Sequence, residues 1–490
     1  MSLKFINTII KSNINDQFLK SNKSAIIDLL FKHVVDIRTF INTYQNNEYQ
    51  KKDIVKIRDD NLESINFNSN DPHILIKSLF ALIYNICISY SKKQLDSKKE
   101  YFKLDYHIIY KVLVVNTEEL RKLFSLFVVI YKLEPYLTKK KYYIGIDYEF
   151  HKGKDIRLMQ INFERKPSLK RTITSFIWII KPPDLNTIQH NILIQDLMEH
   201  SKIYKIMNGA DALDTPYMIK ELFVSNKNTI QKFFATFVDL RYLCEFYKAN
   251  FASDDKCDIY SAYLYFGIIT QEKHDMLNEG NETVVDYVRS LLWEKSSSSD
   301  DIWNIDKMDE AILYYVVFDV IYLKFHLLRL LEKSQQQSNF ITSMKLIPFL
   351  TRYSLYEKHS VTNITEEIKK YVDPINNFYF FKDKLIIKLI DAYKYFSENM
   401  YLIDINIDII KLMKVNYFRN FVMYLLKAVI YYYIVNKTTV FVKTNVKYNN
   451  TYEITSLYKN MERIGFVHLN TFLKSVYKNV DNNFNKILVI

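Results

Sequence analysis

Glycine is scarce in this sequence: it has six glycines among 490 residues, whereas globular proteins average about 7%. Tyrosine (39) and phenylalanine (33) are abundant instead. Glycine, alanine and proline codons are rich in G and C, and the codons of the abundant residues are rich in A and T. The simplest explanation is an AT-biased genome, such as that of a large cytoplasmic DNA virus or an AT-rich protist. We therefore expect most aromatic rings in the core and treat them as weak evidence for base stacking.

Cysteine is equally scarce. Cys87, Cys244 and Cys257 are odd in number and show no CxxC spacing, which argues against a disulfide framework and a zinc ribbon. The ten histidines are scattered. This pattern predicts a reducing compartment, and we expect a cytoplasmic protein, in the host cytoplasm or the virion if the source is a virus.

Signal-peptide and membrane-span patterns are missing as well. The first thirteen residues have no apolar core followed by a cleavage site of small residues. The longest apolar run, 421–435, contains Lys427 and is shorter than the roughly 18 residues that suggest a span. We expect that run to form a buried helix and expect no membrane partner.

Positive charge exceeds negative charge, with 67 Lys and Arg against 55 Asp and Glu, a net charge of +12. Such a charge favours a polyanionic partner and salt-dependent binding. Because AT-biased genomes are also rich in lysine codons, the charge carries modest weight.

The residue pattern divides the chain into three regions. Apolar residues at i, i+3 and i+4 spacing predict a helical N-terminal domain at 1–137. Residues 138–334 begin with three strands joined by short turns, which predicts an antiparallel meander, and continue as alternating helix and strand. Residues 335–490 again look mainly helical, with a candidate hairpin at 438–447. The predicted fold class is α/β, a mixed sheet flanked by helical regions.

Two carboxylates on one face of a predicted strand form the first candidate site. The segment 142–150 alternates, with Asp147 and Glu149 opposite the core-facing residues. Two such carboxylates lie about 7 Å apart along the strand and repel each other unless a cation lies between them. A pair of Mg²⁺ or Mn²⁺ ions is the usual reason for this arrangement. Two solvated acids at a strand end are the alternative, since Asp-x-Glu is common by chance.

The second candidate site is a predicted long helix at 306–331. Tyr315 and Asp319 are at i and i+4 and share a face. Burying Asp319 among valines and phenylalanine is costly without a partner, and a cation would remove that cost. The alternative is a solvated stripe.

The segment 208–214 supplies a third acid, Asp211 or Asp214, between a strand end and a helix start, where ligands of α/β sheets gather. The alternative role of Asp214 is a helix N-cap.

The order of these motifs resembles the DEDD superfamily of 3′-5′ exonucleases, in the subgroup with a tyrosine in the third motif, to which RNase D and the Werner-type exonuclease domain are similar. The sequence Ile-Gly-Ile-Asp-Tyr-Glu-Phe at 144–150 looks like the first motif, and 158–161 looks like the second strand of that fold. Asn-Gly-Ala-Asp at 208–211 looks like the His-Gly-Ala turn of RNase D. The segment 315–323 looks like the third motif. The resemblance covers about 140–333.

The sequence departs from the family pattern in four places. Asn208 replaces the usual histidine, and the second motif is one residue longer, so that Asp214 or Asp211 is its acid; Asp214 is favoured because it begins the helix. The distance to Tyr315 predicts an insertion at about 251–306. The Arg-Pro-Leu that usually precedes the third motif is missing after Trp303.

The resemblance implies an RNase H-like core that removes nucleoside 5′-monophosphates from the 3′ end of single-stranded RNA or DNA, with RNA slightly favoured. Asp147, Glu149, Asp214 and Asp319 would hold two divalent cations, Mg²⁺ or Mn²⁺, and Tyr315 would orient the attacking water.

Basic residues near the predicted meander are candidates for contacts with the nucleic-acid backbone: Lys139, Lys140, Lys141, Arg165, Lys166, Lys170 and Arg171. The alternative for them is an ordinary solvated surface. Phe150 and Met159 are either terminal-base wedges or core residues.

Three alternatives remain open. In the first, the chain is a catalytically weak exonuclease-fold module that binds nucleic acid or protein. In the second, it is a helical structural protein such as a virion component, and in the third it is a proofreading nuclease. The ordered set of acids argues against the first two, and the last is disfavoured because no polymerase-sized region follows.

Overall fold

The computed structural model describes residues 16–46, 65–97, 107–138, 142–150, 156–165, 173–210, 214, 218–224, 226–234, 236–241, 244, 257–278 and 303–333. The predicted C-terminal domain at 335–490, with its apolar run and its hairpin, lies outside these residues. The predicted insertion at 251–306 lies within them only in part. Chain contacts group 1–240 with 258–331 as one compact unit, and 241–257 with 332–490 as another.

A seven-stranded mixed sheet forms the centre of the first unit, in the strand order β1-β2-β5-β4-β3-β6-β7. The strands are β1 (Lys93–Asp96), β2 (Ile108–Val114), β3 (Tyr142–Phe150), β4 (Ile156–Phe163), β5 (Ile173–Ile180), β6 (Ile203–Met207) and β7 (Phe237–Asp239). Strands β3, β4 and β5 pair antiparallel as the predicted meander, whereas β6 pairs parallel with β3, and β7 with β6. The predicted mixed α/β class is confirmed.

Two strands lie in the region that was expected to be helical. Strand β2 pairs parallel with β5 over its whole length, and β1 pairs antiparallel with β2. The region 1–137 is therefore not purely helical, because it contains the strands Lys93–Asp96 and Ile108–Val114. Residues on both sides of the boundary placed before 138 belong to one compact unit. The physical reason is a period-2 pattern: Ile108, Tyr110 and Val112 are fully buried on the sheet.

Helices cover the sheet. They are α1 (Asp16–Lys32), α2 (Val34–Asn46), α3 (Pro72–Tyr90), α4 (Glu118–Tyr131), α5 (Glu134–Thr138), α6 (Thr187–Ile192), which continues as a π-helix at Leu193–Met198, α7 (Lys227–Phe234), α8 (Ile259–Tyr265), α9 (Glu310–Ile321) and α10 (Leu323–Lys333). Thr117 caps α4 by accepting from the backbone N–H of Leu120. Residues 271–278 are also helical.

The core between α4 and the sheet is aromatic. The ring of Phe127 lies 5.0 Å from Phe163, 5.2 Å from Phe176 and 5.3 Å from Trp178. Edge-to-face and tilted contacts of this kind add stability beyond the apolar area that they bury. Most of the described aromatic rings are core residues, as expected from the composition.

The predicted helix at 306–331 is interrupted. It begins at Glu310, where the Asp309 side chain accepts from the N–H of Ile312, and Tyr322 separates α9 from α10. The prediction of one continuous helix is therefore wrong at both places. The N-cap sets the start because its carboxylate satisfies an N–H that has no partner within the helix.

Two of the described helical segments are long and apolar enough to cross a membrane, Pro72–Tyr90 and Glu310–Glu332. Their most apolar windows are 61% and 72% buried within the protein, which is the burial of core helices.

Cys244 and Cys257 are joined by a disulfide bond, and Cys87 is free and buried. The sequence argued against a disulfide framework, and this one bond departs from that expectation. The two cysteines are 13 residues apart in sequence, and this separation alone does not indicate a disulfide. A disulfide forms only where the fold brings the two β-carbons close together.

Candidate metal centre

Three of the predicted acids meet where α9 crosses β3. Asp147, Glu149 and Asp319 each offer one carboxylate oxygen, and these oxygens lie within 4.8 Å of one another. Glu149 is 8% exposed, and Asp147 and Asp319 are half-buried. A strand and a helix that are about 170 residues apart in sequence thus supply one cluster of oxygen donors.

Gly145 lets the helix approach the strand. A β-carbon at this position would lie 2.7 Å from the carbonyl oxygen of Val320 and 3.2 Å from Cδ1 of Leu323. On β4, the cross-strand partner Asn162 donates from Nδ2 to the same Val320 oxygen at 3.2 Å. That oxygen lies in the last turn of α9, where carbonyl groups lack helical partners. Asp319, which precedes Val320, is therefore held close to β3.

The three carboxylates are costly to charge where they lie. Loss of solvent raises the pKa of Asp147 to about 7. Loss of solvent also raises the pKa of Glu149 well above its usual value, and the charges of Asp147, Asp319 and Asp214 raise it further. The pKa of Asp319 is raised in the same way, by burial and then by Asp147. A bound cation would remove this penalty.

Among the described residues, the side chains that pair with these acids are neutral, and none of them is basic. Gln160, the cross-strand partner of Asp147, donates from Nε2 to Glu149 at 3.3 Å. Within the described ranges, no lysine, arginine or histidine forms an ion pair with Asp147, Glu149 or Asp319. Buried carboxylates normally have a cationic partner, so the cluster is suited to a metal ion.

Asp214 lies near the cluster without belonging to its tightest group. It is half-buried, and its charge raises the pKa of both Glu149 and Tyr148. Asp211, the alternative acid, lies outside the described residues. The choice between them stays a prediction.

Tyr315 faces the carboxylates from one turn before Asp319. The charge of Asp319 is the main cause that raises its pKa, followed by burial and by the charges of Glu149 and Asp147. The ring of Trp303 lies 6.1 Å away, and its indole N–H donates to the carbonyl of Phe150 at 3.1 Å. Tyr315 is thus a protonated hydroxyl beside the cluster.

Tyr260 contacts the same cluster and was not predicted from the sequence. It lies on α8, is 5% exposed, and its hydroxyl donates a hydrogen bond to the Asp319 carboxylate. No motif marks it, because it lies in the region that was assigned to an insertion.

Asp239 supports the turn that leads towards Asp214. Its two carboxylate oxygens accept from the backbone N–H groups of Gly209 and Ala210, both at 2.9 Å. Gly209 has φ +68°, a left-handed conformation that favours glycine. The position of Asp239 at the end of a short strand is the only sequence signal for this role.

The structure describes three of the residues that were candidates for nucleic-acid contacts. Arg165 is buried, donates to Glu134 at 3.2 Å and lies 4.4 Å above the Tyr84 ring. Its burial and its pairing with Glu134 do not support the candidate role in phosphate binding. Met159 is fully buried and therefore a core residue, and Phe150 is half-buried. The other basic residues, at 139–141, 166, 170 and 171, lie outside the described residues.

The fold and the cluster define a mixed α/β protein with an acidic site that could bind a divalent cation. The donors are all oxygens, which Mg²⁺ and Mn²⁺ prefer.

No family model matches the chain. The chain is similar to an uncharacterized protein of Acanthamoeba polyphaga mimivirus, with 27% identity over 428 residues, covering 84% of this chain and 81% of the viral protein. This similarity and the AT-rich composition support an origin in a large DNA virus.

Proposed function

We propose that the protein is a metal-dependent 3′-5′ exonuclease of the DEDD type with a tyrosine in its third motif. The observation that carries the proposal is the meeting of Asp147, Glu149 and Asp319 within 4.8 Å. These are the acids of the first and third motifs, which the resemblance selected from distant parts of the sequence.

The topology supports an RNase H-like core for this activity. The five strands β5-β4-β3-β6-β7 are consecutive in the sheet and contain the meander and the two parallel strands that follow it. The first-motif strand β3 lies at their centre, and α9 packs against it beside Gly145.

Asp147, Glu149 and Asp319, with Asp214, would hold two divalent cations, Mg²⁺ or Mn²⁺. When bound, these ions supply charge stabilisation to a phosphodiester and lower the pKa of water. Tyr315 orients the attacking water with its hydroxyl. Because its pKa is raised, it is a hydrogen-bonding group at neutral pH and not a base.

The proposed substrate is the 3′ end of single-stranded RNA or DNA, with RNA slightly favoured by the resemblance to RNase D. The products are nucleoside 5′-monophosphates, and the net charge of +12 favours a polyanionic substrate. Matched RNA and DNA oligonucleotides with Mg²⁺ or Mn²⁺ identify the substrate by product analysis.

The central test replaces a predicted ligand. Asp147→Asn and Asp319→Asn are each expected to abolish Mn²⁺-dependent digestion of an oligonucleotide whose 5′ end is labelled, so that shortening from the 3′ end appears as a ladder. Asp36→Asn, on an exposed carboxylate of α2, is the matched control and retains activity. If both site variants digest the oligonucleotide normally, the assignment of Asp147 and Asp319 as metal ligands is wrong.

A second comparison identifies the acid of the second motif. Asp214→Ala is expected to reduce the rate by orders of magnitude and Asp211→Ala to change it little. The reverse result moves the second motif to Asp211. If the wild-type protein binds Mn²⁺ and single-stranded oligonucleotide but does not shorten it, the protein is the alternative, an exonuclease-fold binding module.

A further inference from the structure

A second tyrosine reaches the acidic cluster from outside the resembling motifs. Tyr260 lies in the first turn of α8, whose N-cap Asp258 accepts from the N–H of Ser261 at 2.9 Å. Its hydroxyl donates to the carboxylate of Asp319, and the charge of the same carboxylate acts on Tyr315, its i−4 neighbour on α9. Two tyrosines therefore lie beside one aspartate.

Packing fixes the ring of Tyr260. The side chain is 5% exposed, and its ring centroid lies 6.3 Å from that of Tyr263, which is fully buried. Tyr263 in turn lies 5.2 Å from Tyr322 and 5.5 Å from His326. A tyrosine with two side-chain torsions and this packing holds its hydroxyl in one place.

We propose that Tyr260 is a positioning residue of the metal centre, which holds the Asp319 carboxylate in the orientation that binds a divalent cation. The inference rests on the proposed function in so far as it takes Asp319 to be a metal ligand.

The physical reason is the freedom of a carboxylate. Asp319 is half-buried and its terminal torsion is broad, so that without a donor either oxygen can turn away from Asp147 and Glu149. A hydroxyl that donates to one oxygen leaves the other for the cation. Partners that orient metal ligands in this way typically contribute 10–100-fold to metal affinity or activity.

Tyr315 and Tyr260 have different tasks in this arrangement. Tyr315 is affected by the charges of all three acids and belongs to the third motif, where it serves the attacking water. Tyr260 lies outside that motif, donates a hydrogen bond to Asp319, and serves the ligand itself.

The test measures Mn²⁺ binding without nucleic acid, by isothermal titration calorimetry on the full chain. Tyr260→Phe removes one oxygen and is expected to weaken Mn²⁺ binding by 10–100-fold. Tyr263→Phe is the matched control, because it removes the same atom one turn later on α8, and its hydroxyl has no hydrogen-bond partner among the described residues. The control is expected to bind like the wild type.

Activity supplies a readout that a structural role would not change. For Tyr260→Phe, a raised Mn²⁺ concentration is expected to restore kcat on a single-stranded oligonucleotide, with KM for the oligonucleotide unchanged. A loss of kcat that excess Mn²⁺ does not restore would overturn the inference, as would equal loss of Mn²⁺ affinity in both phenylalanine variants.

The outcomes separate this inference from the proposed function. If the wild type binds Mn²⁺ and Tyr260→Phe binds it equally well, the inference alone fails. If the wild type binds Mn²⁺ without digesting any oligonucleotide and Tyr260→Phe binds it weakly, the positioning role stands and the nuclease proposal fails. If the wild type binds no Mn²⁺, both fail.

Discussion

At the scale of single residues, the three carboxyl groups of the cluster are hard to ionise because they have lost solvent. Asp147 has a pKa of about 7, raised by desolvation, and Glu149 and Asp319 are shifted in the same direction. A folded-state pKa above the unfolded value means that the folded protein binds more protons. The stability of the metal-free protein therefore falls as pH rises from about 4, the unfolded value, towards 7.

A pH series on the metal-free protein tests this expectation. After treatment with EDTA, the free energy of unfolding is expected to be lower at pH 8 than at pH 5, and Asp147→Asn is expected to reduce that difference. The full shift of Asp147 corresponds to at most about 4 kcal/mol. Urea denaturation at each pH measures it.

The comparison with Asp147→Asn isolates this group from others that titrate. Burial lowers the pKa of Lys205 well below its usual value, which acts in the opposite direction, and both proteins contain that lysine. Addition of Mn²⁺ is expected to raise the Tm of the wild type more at pH 8 than at pH 5, since the ligands must lose their protons to bind. An identical pH dependence in the two proteins would contradict the assignment.

At the scale of elements, the distance between α9 and β3 decides whether the acids meet. Gly145 and Asn162 are cross-strand neighbours. One leaves room for the carbonyl of Val320, and the other donates to it. The meeting of the three acids therefore depends on two residues that carry no charge.

Gly145→Ala is expected to push α9 away from β3, because backbone at 2.7 Å cannot move as a flexible side chain does. We expect a loss of about 1–3 kcal/mol in the free energy of unfolding and weaker Mn²⁺ binding. Ile144→Val, on the other face of β3, costs roughly 0.5–1.5 kcal/mol and should leave Mn²⁺ binding intact. Equal Mn²⁺ affinity in both variants would show that the spacing does not matter.

The turn after β6 depends on β7 in a similar way. Asp239→Ala leaves the N–H groups of Gly209 and Ala210 without their acceptor, at a cost on the order of 1–3 kcal/mol for each buried donor. Asp239→Asn keeps one carbonyl oxygen and is expected to lie between the wild type and the alanine variant in urea denaturation. If both variants unfold at the wild-type midpoint, Asp239 does not support this turn.

At the scale of the molecule, the sheet is one body that begins before the resembling region. Strand β2 covers the edge of β5 from Ile108 to Val114, and α4 brings Phe124 and Phe127 onto Trp178. A fragment that begins at residue 138, the predicted domain boundary, would expose both the edge and the aromatic core.

We therefore expect the fragment 138–490 to be insoluble or to lack cooperative thermal unfolding, whereas the full chain unfolds cooperatively. Exposed strand edges and large apolar surfaces favour aggregation. The opposite result is a soluble fragment whose near-ultraviolet circular dichroism, which reports on packed tyrosines, matches that of the full chain. That result would show that the N-terminal region folds separately.

The sequence predicted the elements whose patterns are local. Strand β3 and helix α3 have the bounds that alternation and helical spacing indicate, and the pairing of β3 with β4 follows from a short turn. The sequence also singled out Asp147, Glu149 and Asp319, which the fold brings within 4.8 Å of one another, because motif order carries long-range information; their role as metal ligands stays a prediction.

The features that the sequence did not predict depend on contacts between residues whose spacing in sequence follows no recognisable pattern. The bond from Tyr260 to Asp319, the disulfide between Cys244 and Cys257 and the burial of Arg165 against Glu134 all join residues that only the folded chain brings together. Strand β2 was missed because a short, mostly apolar segment of seven residues, here with Lys111 at its centre, is ambiguous between strand and helix.

The contact at Gly145 also limits which mutations the gene can accept at this codon. In a genome that favours A and T, point mutation steadily replaces GGN codons with codons for larger side chains. At this position every replacement adds a β-carbon 2.7 Å from the Val320 oxygen, so selection is expected to keep glycine at codon 145 against such a bias.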